Sequence, residues 1–204
     1  MTDRLEIVFS ALTAATEAVT VAFASDELAL GARLKDLNAR SGGAILKAAE
    51  AADFKGKSKA AIEVLAPTKL EIQRLILVGA GKAKSHSDLD RTMLGGAALG
   101  QILARKCTSA SIIAEIADAA DKPEVMAAEI AYGALLRHYS FKKYQTRRTN
   151  GDDGQTGGQP GSGEGGPNGS GRDDLGRLVV HTADPEKASV AFHRLKAVAD
   201  GVYL

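Results

Sequence analysis

The chain has 204 residues, 45% of them apolar and 25% charged, the ordinary composition of a globular protein that buries one sizeable core. Its 26 basic residues stand against 25 acidic ones, a formal charge of +1, so no global field draws it to nucleic acid, an anionic membrane or an acidic substrate. No run of roughly 18 uncharged apolar residues is present to cross a bilayer.

The amino terminus, Met1 to Ala15, carries Asp3, Arg4 and Glu6 around a short apolar run, so it lacks the basic start and unbroken apolar stretch of a signal peptide, and a cytoplasmic location is expected. Leu5 to Ser10 and Val19 to Phe23 are β-branched and aromatic runs that read as two early strands, close enough in sequence for a hairpin. Ser41-Gly42-Gly43 opens a helix over Ala44 to Ala52, with Ile45, Ala48, Ala49 and Ala52 on one face. Phe54-Lys55-Gly56-Lys57 ends it. Ala61 to Leu65 is a strand closed by Pro67, which lacks the N–H that a central ladder needs. Arg74 to Val78 is a continuous apolar run, the mark of a buried, central parallel strand, and it stops at Gly79-Ala80-Gly81-Lys82.

Asp88 is placed to cap the next helix, Leu89 to Lys106, in which Leu89, Met93, Ala97, Gly100 and Leu103 or Ala104 keep helical spacing and the small residues Gly95 to Ala98 permit close approach to the sheet. Cys107, the single cysteine, has no internal partner for a disulfide and suits a reducing compartment. Ser111 to Glu115 reads as another buried strand, and Pro123 to Arg137 as a helix whose first position tolerates the missing proline N–H. From Asn150 to Asp173 large apolar side chains vanish in favour of Gly, Gln, Pro, Ser and Asp. That tract has nothing to bury in exchange for order and reads as a disordered insertion, tolerable because each doubling of loop length costs only about 0.6 kcal/mol. Leu178 to His181 resumes as a strand, and Asp184-Pro185 starts a helix with the stripe Ala188, Ala191, Phe192, Leu195, Val198, Ala199 and Val202. Strands alternating with helices predict an α/β fold: a mixed, mostly parallel sheet of about six strands with helices on both faces.

Candidate sites are few. Gly79-Ala80-Gly81-Lys82 lies at the carboxyl end of a strand, where open α/β sheets bind ligands and where N–H groups would face an anion, so Gly79, Gly81 and Lys82 are the candidate cofactor-binding residues. The turn lacks the third glycine of a dinucleotide fingerprint and the spacing of a Walker loop, and glycines that merely let the chain turn are the competing explanation. His86, His138, His181 and His193 are scattered without metal-ligand spacing, and Cys107 has no histidine beside it, so no metal or catalytic residue is expected in this chain. Ser85, Ser87, Asp88 and Asp90 gather near the glycine turn without a paired base. Arg137, Lys142, Lys143, Arg147 and Arg148 interleave with Tyr139, Phe141 and Tyr144, a pattern of nucleic-acid surfaces, though a lysine-guarded edge strand explains it as well and more simply.

Three stretches together resemble the amino-terminal domain of the leucyl (cytosol) aminopeptidase family: Ser41 to Gly56; Arg74 to Lys82 with the small-residue helix Gly95 to Gly100; and Ile130 to Arg148, similar to the family's Gly-x-x-Leu-x-x-Tyr-x-Phe-x-x-Tyr-x-x-basic segment. The resemblance implies a macro-domain-like module over residues 1–183, interrupted at 150–173, then a connecting helix over 184–204 leading to a catalytic domain. It further implies a full-length metalloaminopeptidase in which two divalent metals, zinc or manganese, sit in that other domain, and in which this one flanks the catalytic domain and helps organise a homohexamer. The carboxy-terminal Gly201-Val202-Tyr203-Leu204 is expected to be a joint to that missing part, which leaves this chain inactive alone. Two rivals stay open: a free-standing macro-like module binding ADP-ribose at the Gly79 to Lys82 turn, and a nucleic-acid-binding accessory domain using Lys142 to Arg148.

Overall fold

The computed structural model describes residues 5–58, 60–149 and 175–202, excepting the side chains of 140–149 and 198–202. Six strands form one path, in the order β1 (Glu6–Ala11), β7 (Arg177–Thr182), β6 (Ser109–Ile113), β2 (Val19–Ser25), β5 (Arg74–Gly81), β4 (Ala61–Leu65). All neighbours are parallel except β4, which pairs antiparallel with β5 at one edge. A two-residue strand, β3 (Ala29–Leu30), lies antiparallel to the end of β2.

Alternation along the strands explains why both faces are covered. Val21 and Phe23 of β2, Ile76 and Val78 of β5, Ile112 of β6 and Val180 of β7 point to one core. There they meet α3 (Asp88–Leu103), α4 (Pro123–Thr149) and α5 (Pro185–Val202), which lie side by side. Ala22 and Ala24, Leu75 and Leu77, and Ile113 point to the other, where α1 (Ala32–Arg40) and α2 (Ala44–Ala51) supply Leu34, Leu37, Ile45 and Ala49. A buried two-faced sheet needs such continuous apolar runs.

The structure corrects three expectations. β1 and β2 form no hairpin: β7 and β6 stand between them, and residues 12–18 return across the sheet so that both strands run parallel. The segment around Tyr139 and Phe141 is not an edge strand, because α4 continues unbroken to Thr149. The cap of α3 is Ser87 rather than Asp88: the Ser87 hydroxyl accepts from the Asp90 N–H and the Asp90 carboxylate accepts from the Ser87 N–H, a reciprocal box that satisfies two otherwise orphaned donors. The glycine-rich tract 150–173 lies outside the described residues.

The crossing segment 12–18 explains a buried polar pair. Irregular backbone laid on a sheet face must find partners for its polar groups. His181, fully buried, donates Nδ1–H to the Ala11 carbonyl at 3.1 Å, since a carbonyl only accepts, and its Nε2 takes the Ser111 hydroxyl at 3.2 Å. Ser111 Oγ in turn accepts the Glu17 N–H at 2.8 Å. Burial pushes the His181 pKa down, which keeps the ring neutral and suits this assignment.

Candidate functional site

The Gly79 to Lys82 turn is the end of β5 itself. Gly79 N–H donates to the Ala60 carbonyl and Gly81 N–H to the Gly56 carbonyl, both at 2.8 Å. The glycines are there for close approach: a Cβ on Gly79 would stand 2.0 Å from the Lys57 oxygen, and one on Gly56 would stand 2.0 Å from the Ser25 oxygen. Gly81 also holds a positive φ of 71°, which L side chains rarely adopt. The two candidate amides are thus engaged by backbone, while Lys82 is exposed. A cavity of about 130 Å³ opens beside the turn, walled by Gly79, Ala80, His86, Met93, Leu94 and Ala97. His86 Nε2–H donates to the Ala80 carbonyl at 2.8 Å, and its Nδ1 is buried without a partner among the described residues.

The hydroxyl and carboxylate cluster that follows is a helix start. Hydrogen bonds from the Ser87 backbone and hydroxyl hold Asp90 below the usual carboxylate range. Asp88 turns to Arg91, which is the centre of the densest acidic group described. Arg91 is 3% exposed; its guanidinium meets Asp88 at 2.5 Å, Asp121 at 2.6 Å, the His86 carbonyl at 3.0 Å, and Glu129 through Nε. These carboxylates already hold a resident cation, and among the described residues no three or more His, Cys, Asp or Glu side chains gather as metal ligands. Among the described residues the carboxylates around Arg91 are thus engaged by a guanidinium, not arranged as a paired-metal centre. The Arg91 network was invisible in sequence because its acids come from α3, the loop before α4, and α4 itself.

The remaining candidates are dispersed. His138 is buried on α4, His193 is exposed on α5, and Cys107 is half-buried just after α3. Tyr139 is 43% exposed; Lys142 to Arg148 lie on α4, with side chains outside the described set. The first turns of α5 pack on the domain's own sheet, with Ala188 and Phe192 buried and Phe192 set 5.6 Å from Phe9, centroid to centroid. The stripe from Val198 onward lies outside the described side chains.

Strand order, mixed direction and two-faced burial define the class as macro-domain-like α/β. A macrodomain from Oceanobacillus iheyensis matches with a TM-score of 0.59 at 16% identity, covering 98% of this chain and 95% of that one. Another variant of that macrodomain, determined with ADPR, gives a TM-score of 0.60 at 17% identity, covering 98% and 96%. A tomato leucine aminopeptidase gives a TM-score of 0.64 at 18% identity, covering all of this chain and 38% of that one. At such identities the likeness is one of fold. Residues 18–148 match the family model described as cytosol aminopeptidase family, N-terminal domain. Probable cytosol aminopeptidases of Afipia carboxidovorans and Rhodopseudomonas palustris are 34% and 35% identical over all 204 residues, which span 37% of each relative's length. The chain belongs to the cytosol aminopeptidase family, as its N-terminal domain. Among the described residues, no helix is long and apolar enough to cross a membrane.

Proposed function

We propose that this chain is the non-catalytic portion of a metal-dependent aminopeptidase that removes amino-terminal residues from peptides in the cytoplasm. The observation that carries the reading is the alignment of the whole chain with little more than a third of its curated relatives. The remaining length would hold two divalent cations, zinc or manganese, which activate a water for hydrolysis of the first peptide bond. The role of this part is structural: residues 1–183 form a module beside the catalytic domain, α5 within 184–204 connects the two, and the module helps organise a homohexamer. A chimera tests this, with the present chain replacing the aligned part of the Afipia relative. Metal-dependent release of leucine from leucyl-p-nitroanilide by a hexamer is expected. A folded chimera that neither assembles nor turns over would contradict it.

A second reading, a nucleotide-binding module, draws on the macrodomain likeness. Against it, Gly79 and Gly81, the candidates for a phosphate site, have their amides on Ala60 and Gly56. Calorimetric titration with ADP-ribose is expected to give no saturable heat, and a micromolar constant would restore that reading. For nucleic acid the supporting residues are Lys142 to Arg148; a filter-binding signal that persists near physiological salt and is lost on reversing those charges would support it.

A further inference from the structure

Open α/β sheets receive ligands outside the carboxyl ends of adjacent strands whose connections leave in opposite directions. In this sheet those strands are β2 and β6: the chain leaves β2 toward β4 and β5 by way of α1 and α2, and leaves β6 toward β7 by way of α4 on the other face. The chain fills that crevice itself. β2 pairs with β6 only from Thr20 to Ala22, and beyond that Ala24 and Ser25 pair with Leu30 and Ala29 of β3.

Gly31 follows β3 as the cap residue of α1 and offers no side chain to the free N–H groups of the helix. Such an end carries roughly half a positive charge and unpaired donors, which makes it an anion position. Glu115, two residues beyond β6, occupies it: its Oε2 accepts the Arg33 N–H at 2.7 Å. The fit depends on Gly31, where a Cβ would stand 2.5 Å from Glu115 Oε2. Arg33 adds cationic donors at the same helix end. Its side chain is 12% exposed, its Nη groups reach Asp36 and the Ala14 carbonyl, and its Nε is buried without a partner among the described residues.

We infer that Glu115 is a built-in anion, a carboxylate that occupies from within the place where this class of sheet takes an external phosphate or carboxylate, and so closes the β2–β6 crevice. The inference does not depend on the aminopeptidase reading. It makes the crevice a self-sealed joint between the two halves of the sheet.

Anion rescue tests it. The 204-residue chain and its Glu115→Ala variant are melted in acetate or inorganic phosphate, against chloride at equal ionic strength, with the Arg33 amide followed by NMR. The wild type sets the general effect of each salt on the midpoint, and its Arg33 amide should stay unmoved. Glu115→Ala should melt lower, and acetate or phosphate should raise its midpoint and shift the Arg33 amide saturably, because a ligand specific to the folded state stabilises it by mass action. Glu115→Gln, which keeps a neutral oxygen in place, should melt between the two and ignore acetate. Three outcomes overturn the inference: an Arg33 amide that phosphate shifts saturably in the wild type, a Glu115→Ala chain that melts with the wild type, or one whose midpoint neither anion raises more than it raises the wild type's. If Glu115→Ala is unfolded at rest, the readout becomes recovery of its circular dichroism on adding acetate, and no recovery counts against the inference.

Discussion

Gly133 on α4 lies so close to Thr92 on α3 that a Cβ on the glycine would stand 1.8 Å from the threonine carbonyl oxygen. The contact is reciprocal, since a Cβ on Gly95 of α3 would stand 1.9 Å from the Ile130 carbonyl oxygen of α4. Two glycines, one on each helix, let the backbones meet where side chains ordinarily hold helices 8–10 Å apart. Gly133→Ala and Gly95→Ala should each destabilise the fold by about 1–3 kcal/mol or more, because a backbone carbonyl cannot move aside as a flexible side chain can. Gly96 is the control: its nearest neighbour would be 3.6 Å away. Gly96→Ala should be neutral or gain up to about 1 kcal/mol from helix propensity. Urea midpoints of the three variants check this, and equal losses at Gly95 and Gly96 would contradict the close packing.

Arg91 should tolerate no apolar substitute. Glu129 is 7% exposed, and removing its cation leaves a buried carboxylate uncompensated, at a cost of about 3–5 kcal/mol. Asp88 and Asp121 are more exposed and contribute less. In Arg91→Leu combined with Glu129→Leu much of the loss should return, since neither charge is then stranded. Denaturation of the single and double variants measures the coupling.

His181 predicts an acid-side weakness. Its folded pKa is lowered, first by burial, so between the ordinary value near 6.5 and the lower folded value the unfolded chain binds a proton that the folded chain refuses. Stability is therefore full above pH 6.5 and falls as the pH drops below it, by up to about 1.4 kcal/mol per pH unit for this one group. His181→Asn keeps a donor for the Ala11 carbonyl but does not titrate. It should flatten the decline between pH 6.5 and 5.5 while costing stability at neutral pH.

At the glycine turn, Gly79→Ala would drive a Cβ toward the Lys57 carbonyl, whereas Gly42 has nothing within 4 Å of its Cβ position. Gly42→Ala should cost only its left-handed backbone preference, about 1–2 kcal/mol at φ 66°, and Gly79→Ala should cost more. Thermal unfolding decides the order. An undisturbed Gly79→Ala chain would reopen the view that this glycine serves a ligand.

Much of the fold was legible because burial on both faces leaves long apolar runs such as Leu75 to Val78, and because Pro123 and Pro185 mark helix starts. α1 has a weak sequence signal although Leu34 and Leu37 are both buried on it, because its other positions are mostly polar and a glycine stands at its cap. The early hairpin is a different case: sequence proximity of two strands does not reveal that a seven-residue connection crosses the sheet, a path fixed by the strand order and marked by the Glu17 to Ser111 hydrogen bond. Ser87 and Asp88 satisfy the same capping preference one residue apart, so sequence alone does not single out Ser87 as the α3 cap. The Gly79 to Lys82 turn had the right place in the fold, but the partners of its amides, Gly56 and Ala60, lie some 20 residues earlier and carry no local signal.

As the proposed non-catalytic part of an aminopeptidase, this domain should contribute structure and no chemistry of its own. Purified residues 1–204, incubated with leucyl-p-nitroanilide and Mn²⁺ or Zn²⁺, should release no leucine above a protein-free blank. Turnover that co-elutes with the polypeptide and vanishes with its unfolding would contradict the account.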